Sequence, residues 1–230
     1  MSEEKYLSQL PPIFRNLYGP MAIPAAKLLW KNSGPVFAVD AMTRAYGEIW
    51  ALEGPLSLNE RSLATVSALV VQGLYPQIKL HINGFISSGG TLEQLFELVG
   101  SAAREFVPQV PDGLVDAVIS GLQWRAESVK GFVAPSKDEI GHVLKTARVG
   151  ASSLKPHMLL LTKLSSQIAL GNIEKVNGLM SELVKNLSSN VNKDHYMDLL
   201  VTHLIVYCGY PKGMNAFNSW QQMRVDVGLK

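Results

Sequence analysis

Between Ser57 and Gln94 the chain opens a helix three times and stops one twice, which leaves little room for a sheet. Ser57-Leu58-Asn59-Glu60 has the form of a capping box. In such a box the serine oxygen and the glutamate carboxylate satisfy backbone N–H groups that the first turn leaves orphaned. The run behind it, RSLATVSALVVQG, is apolar almost all round and ends at Gly73, so it predicts a buried helix with a glycine stop. Pro76 suits the first turn of a second helix, from about Gln77 to Ser88. Gly89-Gly90 closes that helix, and Thr91-Leu92-Glu93-Gln94 opens a third with another box. Leu92, Leu95, Phe96 and Val99 then recur at helical spacing. Further on, Ser136-x-x-Glu139 starts one more helix, and Asn172 and Asn192 are good caps for two others. VKGFVAP at 129–135 offers a short strand candidate but reads as a linker. The expected class is all-α.

The segment TLEQLFELV, followed by Pro111-Asp112-Gly113-Leu114, has a later echo in KDHYMDLLV, followed by Pro211-Lys212-Gly213-Met214. Two helical units that bury their faces against each other would produce such an echo. The division expected is an N-terminal extension at 1–35, a first unit at 36–130 and a second, diverged unit at 131–230. The boundary between the units falls in the segment around Val129–Lys137.

With 47% hydrophobic and 17% charged residues, the 230-residue chain has an ordinary globular balance and enough length for a real core. Its net charge of +2 is spread without a basic block, so no nucleic-acid or anionic-membrane partner is expected. The longest apolar runs, Leu63–Tyr75 and Met197–Tyr210, are interrupted by polar residues and fall short of the roughly 18 to 20 residues of a membrane span. The acidic, proline-broken start has no signal core, and the expected compartment is the cytoplasm. The one cysteine, Cys208, excludes an internal disulfide and removes the usual thiolate zinc sites. It reads as a buried structural thiol, and the methionines and phenylalanines read as core.

On a helix through 77–88, Ile78, Ile82 and Phe85 form the buried stripe. His81 lies at the edge of that stripe, while Lys79 and Asn83 point to other faces. A border position would give the imidazole partial burial and a tunable proton affinity, suited to a general acid or base. A helix-edge histidine bonded to a carbonyl is the plainer outcome. Glu60 is explained as the capping-box partner, and Arg61 suits either a bidentate carboxylate contact or a surface ion pair. Glu48, in AYGEIW, is a further acidic candidate. His157, His195 and His203 lack metal-ligand spacing, and neither a glycine-rich phosphate loop nor a Gly-x-Ser-x-Gly elbow occurs.

The order Ala45-Tyr46-Gly47-Glu48-Ile49-Trp50, Leu58-Asn59-Glu60-Arg61-Ser62-Leu63, Lys79-Leu80-His81-Ile82-Asn83-Gly84 and Gly90-Thr91-Leu92-Glu93 resembles the carboxymuconolactone decarboxylase family. Val206-Tyr207-Cys208-Gly209-Tyr210-Pro211 with Asn215-Ala216 is similar to the Tyr-Ala-Gly-Phe-Pro…Asn-Ala ending of that family. In an ordinary member that ending closely follows the helix after the histidine; here GSAAREFVPQVPDG stands there, and the better copy comes much later. The resemblance thus implies an alkylhydroperoxidase D-like helical bundle with an internal duplication. In the second unit GNIEKVNGLMSEL takes the place of the histidine helix and has no histidine, so at most one site per chain is expected.

Two chemistries are known in the wider superfamily. The peroxidase branch uses a Cys-x-x-Cys pair with a histidine four residues beyond; here those positions hold Leu74 and Gln77, so peroxidase activity is not expected. The decarboxylase branch implies a cofactor-free, metal-free lyase acting on a small anionic lactone or carboxylic acid. The resemblance casts His81 as the acid/base, Arg61 or Lys79 as the carboxylate clamp, and Glu48 or Glu60 as the group that orients the imidazole. The alternative is a non-enzymatic or degenerate member serving as an oligomeric scaffold or binding protein. Family members form rings, and two units per chain would make a trimer the counterpart of a hexamer.

Overall fold

The computed structural model describes residues 1–105, 110–146 and 152–226, and among them it contains helices and no strand. Residues 106–109, within the diverged GSAAREFVPQVPDG stretch, lie outside the described residues. The extension at 1–35 forms α1 (Glu3–Ser8), α2 (Pro12–Tyr18) and most of α3 (Ala22–Asp40), which runs on into the first unit, with a 3-10 turn at Gly19–Met21. A π-helix at Ala41–Ile49 follows, then α4 (Leu58–Val71), α5 (Tyr75–Ser87), α6 (Leu92–Arg104) and α7 (Asp112–Ser128). After the 129–135 linker come α8 (Lys137–Thr146), α9 (Pro156–Leu170), α10 (Ile173–Asn186), α11 (Lys193–Cys208) and α12 (Tyr210–Asp226). Among the described residues no helix is long and apolar enough to cross a membrane.

Local chemistry sets the helix starts. Both expected capping boxes at Ser57 and Thr91 are formed, with Glu60 N to Ser57 Oγ at 3.3 Å and Gln94 N to Thr91 Oγ1 at 3.2 Å. Ser136 and Glu139 make a third box, and Asn192 accepts from His195 N at 3.0 Å. Asn172 sits at the cap of α10 without a side-chain bond. α5 begins earlier than its apolar stripe, at Tyr75, because Pro76 fits the first turn, where no N–H is needed.

α4 and α9 are buried on nearly every face and pack on each other at the centre, as a helix apolar all round must. The four helices α4 to α7 recur in order as α9 to α12. Their first residues are 58, 75, 92 and 112 against 156, 173, 193 and 210, separations of 98, 98, 101 and 98. The packing is reciprocal. The loop before α9 is tied to α6, where the Glu97 carboxylate accepts from Ser153 N at 2.8 Å and Leu154 N at 3.1 Å. The loop before α4 lies on α11, so closely that a Cβ at Gly54 would collide with Leu199 Cδ1. α8 packs on α6 and α7, as the π-helix touches α11.

One apolar core runs through both sets of helices. A second gathers the extension around Phe14, Tyr18 and Met21 and reaches Tyr46 and Trp50. α3 kinks at Gly34 (φ 77°), a conformation open to glycine, just before Pro35. Phe37 and Met214 are exposed, so not every phenylalanine and methionine is core. Asn83, expected off the buried face, is instead enclosed where α5 meets α7 and donates to Gly121 O at 3.2 Å. Gly121 permits that approach: a Cβ there would collide with Ile82 Cδ1 and lie 3.3 Å from Lys79 Cα. Gly121→Ala is therefore expected to cost about 1–3 kcal/mol through overpacking, read as a lower urea midpoint at an unchanged slope.

Candidate functional site

His81, on α5, faces Tyr207 at the end of α11. Ile78, Ile82 and Phe85 are fully enclosed, and His81 itself is 6% exposed, more deeply buried than its border position suggests. The Tyr207 ring meets the imidazole edge-on at 5.2 Å between centroids. Burial pulls the His81 pKa down to about 3, so the ring is neutral at ordinary pH. No hydrogen bond joins either of its nitrogens to another described residue.

A second buried histidine stands beside it. His203 Nε2 is 2.9 Å from Thr65 Oγ1 and 3.2 Å from Arg61 O, while its Nδ1 has no partner among the described residues. Burial first, and then the nearby Arg61 charge, hold its pKa at about 3. Trp50 Nε1 donates to the Tyr207 hydroxyl at 2.8 Å, and the Trp50 ring stands edge-on to His203 at 4.6 Å. Burial pushes the Tyr207 hydroxyl well above its ordinary value, so it stays protonated. Tyr46 stacks on Trp50 at 5.9 Å, and its hydroxyl bonds that of Tyr18 at 2.9 Å. The π-helix supplies Met42 and Tyr46, with Trp50 at its end, to this enclosed aromatic group.

The other expected site residues are placed elsewhere. Glu60 Oε2 serves the α4 cap, and its Oε1 accepts from the Tyr196 hydroxyl at 3.0 Å and pairs with His157 Nε2 at 3.2 Å. Burial works to raise its pKa, but the bonds from His157, Ser57 and Tyr196 outweigh it and hold the carboxyl below the usual range. Glu48 is exposed on the π-helix and shares no hydrogen bond with His81. The Lys79 ammonium lies 5.3 Å over the Trp124 ring.

Arg61, 2% exposed, donates to four main-chain carbonyls: Leu56 O (3.0 Å), Ile49 O (3.1 Å), Trp50 O (3.2 Å) and Leu52 O (2.6 Å). Four of a guanidinium's five N–H groups are thereby used in fastening the loop before α4. That loop, with α2, encloses an open cavity of about 550 Å³. Its wall includes Pro11, Ile13, Trp50, Leu52, Leu56 and Arg61; His81 is not part of it.

The five expected residues thus do not meet at one open site. His203 and Tyr207, which metal-ligand spacing does not single out, join His81 instead: Tyr207 meets the His81 ring, and His203 meets Tyr207 at 5.4 Å between centroids. The signal that could have found them is their own spacing: four apart on an apolar helix, they share a face. Gln77 is exposed and Leu74 caps α5, so no sulfur stands beside His81 there. Burial pushes the Cys208 thiol up to about 11, away from the thiolate a nucleophile requires. Among the described residues no group of three or more His, Cys, Asp or Glu side chains could hold a metal ion.

Residues 38–112 match the carboxymuconolactone decarboxylase family. The matched segment runs from the end of α3 through the π-helix to the first residue of α7, and includes His81, Arg61 and Glu60. No curated protein matches the chain.

Proposed function

We propose, from the premise that segment 38–112 belongs to the carboxymuconolactone decarboxylase family, that the fold here serves binding and assembly in place of decarboxylation at His81. One observation carries this reading: His81 is almost wholly buried beside Tyr207, uncharged at neutral pH, and separate from the cavity that Arg61 lines. Decarboxylation requires a cation on the leaving carboxylate and a proton donor at the carbon left behind. An imidazole with a pKa of about 3 carries almost no proton to give at neutral pH. The recurrence of α4–α7 as α9–α12 supports reading the second half as a diverged copy of the first. On the 98- and 101-residue offsets, Leu179 and Ala102 stand at the positions equivalent to His81 and His203, so the pair of histidines has no second copy.

The cofactor-free lyase with His81 as acid/base is the competing reading, favoured by the place of Arg61 in a cavity wall. A turnover screen on carboxylated lactones separates the two. No carbon dioxide release is expected from the wild type; release that His81→Ala abolishes in a folded protein would overturn the binding reading. Assembly as a trimer of two-unit chains belongs to the same proposal, and a monomer mass by light scattering would remove it.

A further inference from the structure

Arg61 brings a full positive charge into the wall of the 550 Å³ cavity, and nothing of opposite sign among the described residues meets it. Its four acceptors are neutral carbonyls, and no carboxylate among the described residues lies within ion-pair distance. Neighbouring Glu60 is committed to Ser57, Tyr196 and His157. Glu53, in the same wall, is exposed and makes no ion pair with Arg61. Buried charges are ordinarily paired, because an unpaired one forfeits hydration without recompense. The remaining wall is mostly apolar: Pro11, Pro12 and Ile13 from α2 and the turn before it, and Trp50, Leu52 and Leu56 from the opposite side.

We infer that this cavity binds a small apolar monocarboxylate, with the carboxylate on Arg61 and the hydrocarbon part against Trp50, Leu52, Leu56 and Ile13. Charge sets the sign of the ligand, and a single guanidinium with one N–H remaining fits a monoanion better than a phosphate. The apolar wall sets the rest of the ligand, since small-molecule sites combine a greasy lining with a few polar anchors. One side of that wall comes from residues 11–16, outside the family segment, so the site is a feature of this chain's extension. The inference rests on the binding reading above and names its ligand class.

Isothermal titration with octanoate and with octanamide, which differ in charge but hardly in shape, tests it. Octanoate is expected to bind the wild-type protein at least about tenfold more tightly than the amide. Ile13→Trp, which adds bulk to the α2 side of the cavity and leaves Arg61 itself unchanged, is expected to abolish octanoate binding. Equal affinity for acid and amide, no binding of octanoate at millimolar concentration, or undiminished binding by a folded Ile13→Trp variant would each overturn the inference. The acid–amide comparison uses the wild type and stands even if the variant does not fold. Failure of the titration removes this ligand site alone, whereas lactone turnover lost in His81→Ala removes the binding reading.

Discussion

Urea unfolding at pH 5 is expected to show a native state about 4 kcal/mol less stable than at pH 7, about half of it from each of two buried histidines. His81 and His203 are both held at a pKa of about 3 in the fold, against about 6.5 when the chain is unfolded. Between those values the unfolded chain binds protons that the native state refuses, so stability falls as pH falls. Their contribution is fully present above pH 6.5, is lost progressively toward pH 3, and does not change further below it. At pH 5 each group lies about 1.5 units below its unfolded value, which is about 2 kcal/mol. A loss near 4 kcal/mol is a large share of the 5–15 kcal/mol typical of a domain. The check is a pair of denaturation series on wild type and His81→Phe, which keeps an aromatic ring against Tyr207 while removing the titrating group. The variant should retain only about half of the pH 7 to pH 5 difference. A wild-type midpoint unchanged between the two pH values would mean that the histidines are protonated in the native state, and would reopen His81 as a proton donor.

What was legible in the sequence was what neighbours in the chain decide. The boxes at Ser57 and Thr91 formed because both partners lie within one turn, and Ile78, Ile82 and Phe85 are buried because helical period alone puts them on one face. The π-helix was not legible: it differs from an α-helix by one residue per hydrogen-bonded turn, and AMTRAYGEI shows no pattern that separates the two. The recurrence of the helices was visible only as the short echo around Pro111 and Pro211. Core positions tolerate substitution when size and polarity are kept, so packing preserves a register that the residues themselves do not display.

The site was less legible because its environment comes from far along the chain. The edge position of His81 follows from its own helix, but the ring it meets, Tyr207, comes from α11, and that tyrosine is held by Trp50. Glu60 caps its own helix, a local role; its other oxygen bonds Tyr196 and His157, from the second set of helices. Helical period orders the residues of one helix and carries no information about which helix will cover them. Resemblance fails at the same point, because a matched segment fixes the candidate residues while the unmatched extension and second half decide which of them remain open to a ligand.

Arg61→Met should destabilise the fold by about 3–5 kcal/mol, more than the overpacking at Gly121. The guanidinium reaches the carbonyls of Ile49, Trp50, Leu52 and Leu56 at once, and those four acceptors span the turn from the π-helix into α4. Methionine fills much of the same space but donates to none of them, and each carbonyl left without a donor costs about 1–3 kcal/mol unless water from the cavity replaces it. Arg61→Lys separates charge from geometry. An ammonium keeps the positive charge but presents its donors from a single nitrogen, which cannot span carbonyls spread along a loop. If geometry is the source of stability, the lysine variant should recover less than half of the methionine variant's loss in urea midpoint, at an unchanged slope. Recovery of nearly all the loss by lysine would show instead that charge alone holds the loop, and that the four carbonyls have other donors when the fork is removed. The same loop forms one wall of the cavity, so the residue that fastens the wall is also the one that offers a bound anion its charge. A stability loss shared by both variants would therefore have to be measured before any loss of ligand binding in either was assigned to that charge.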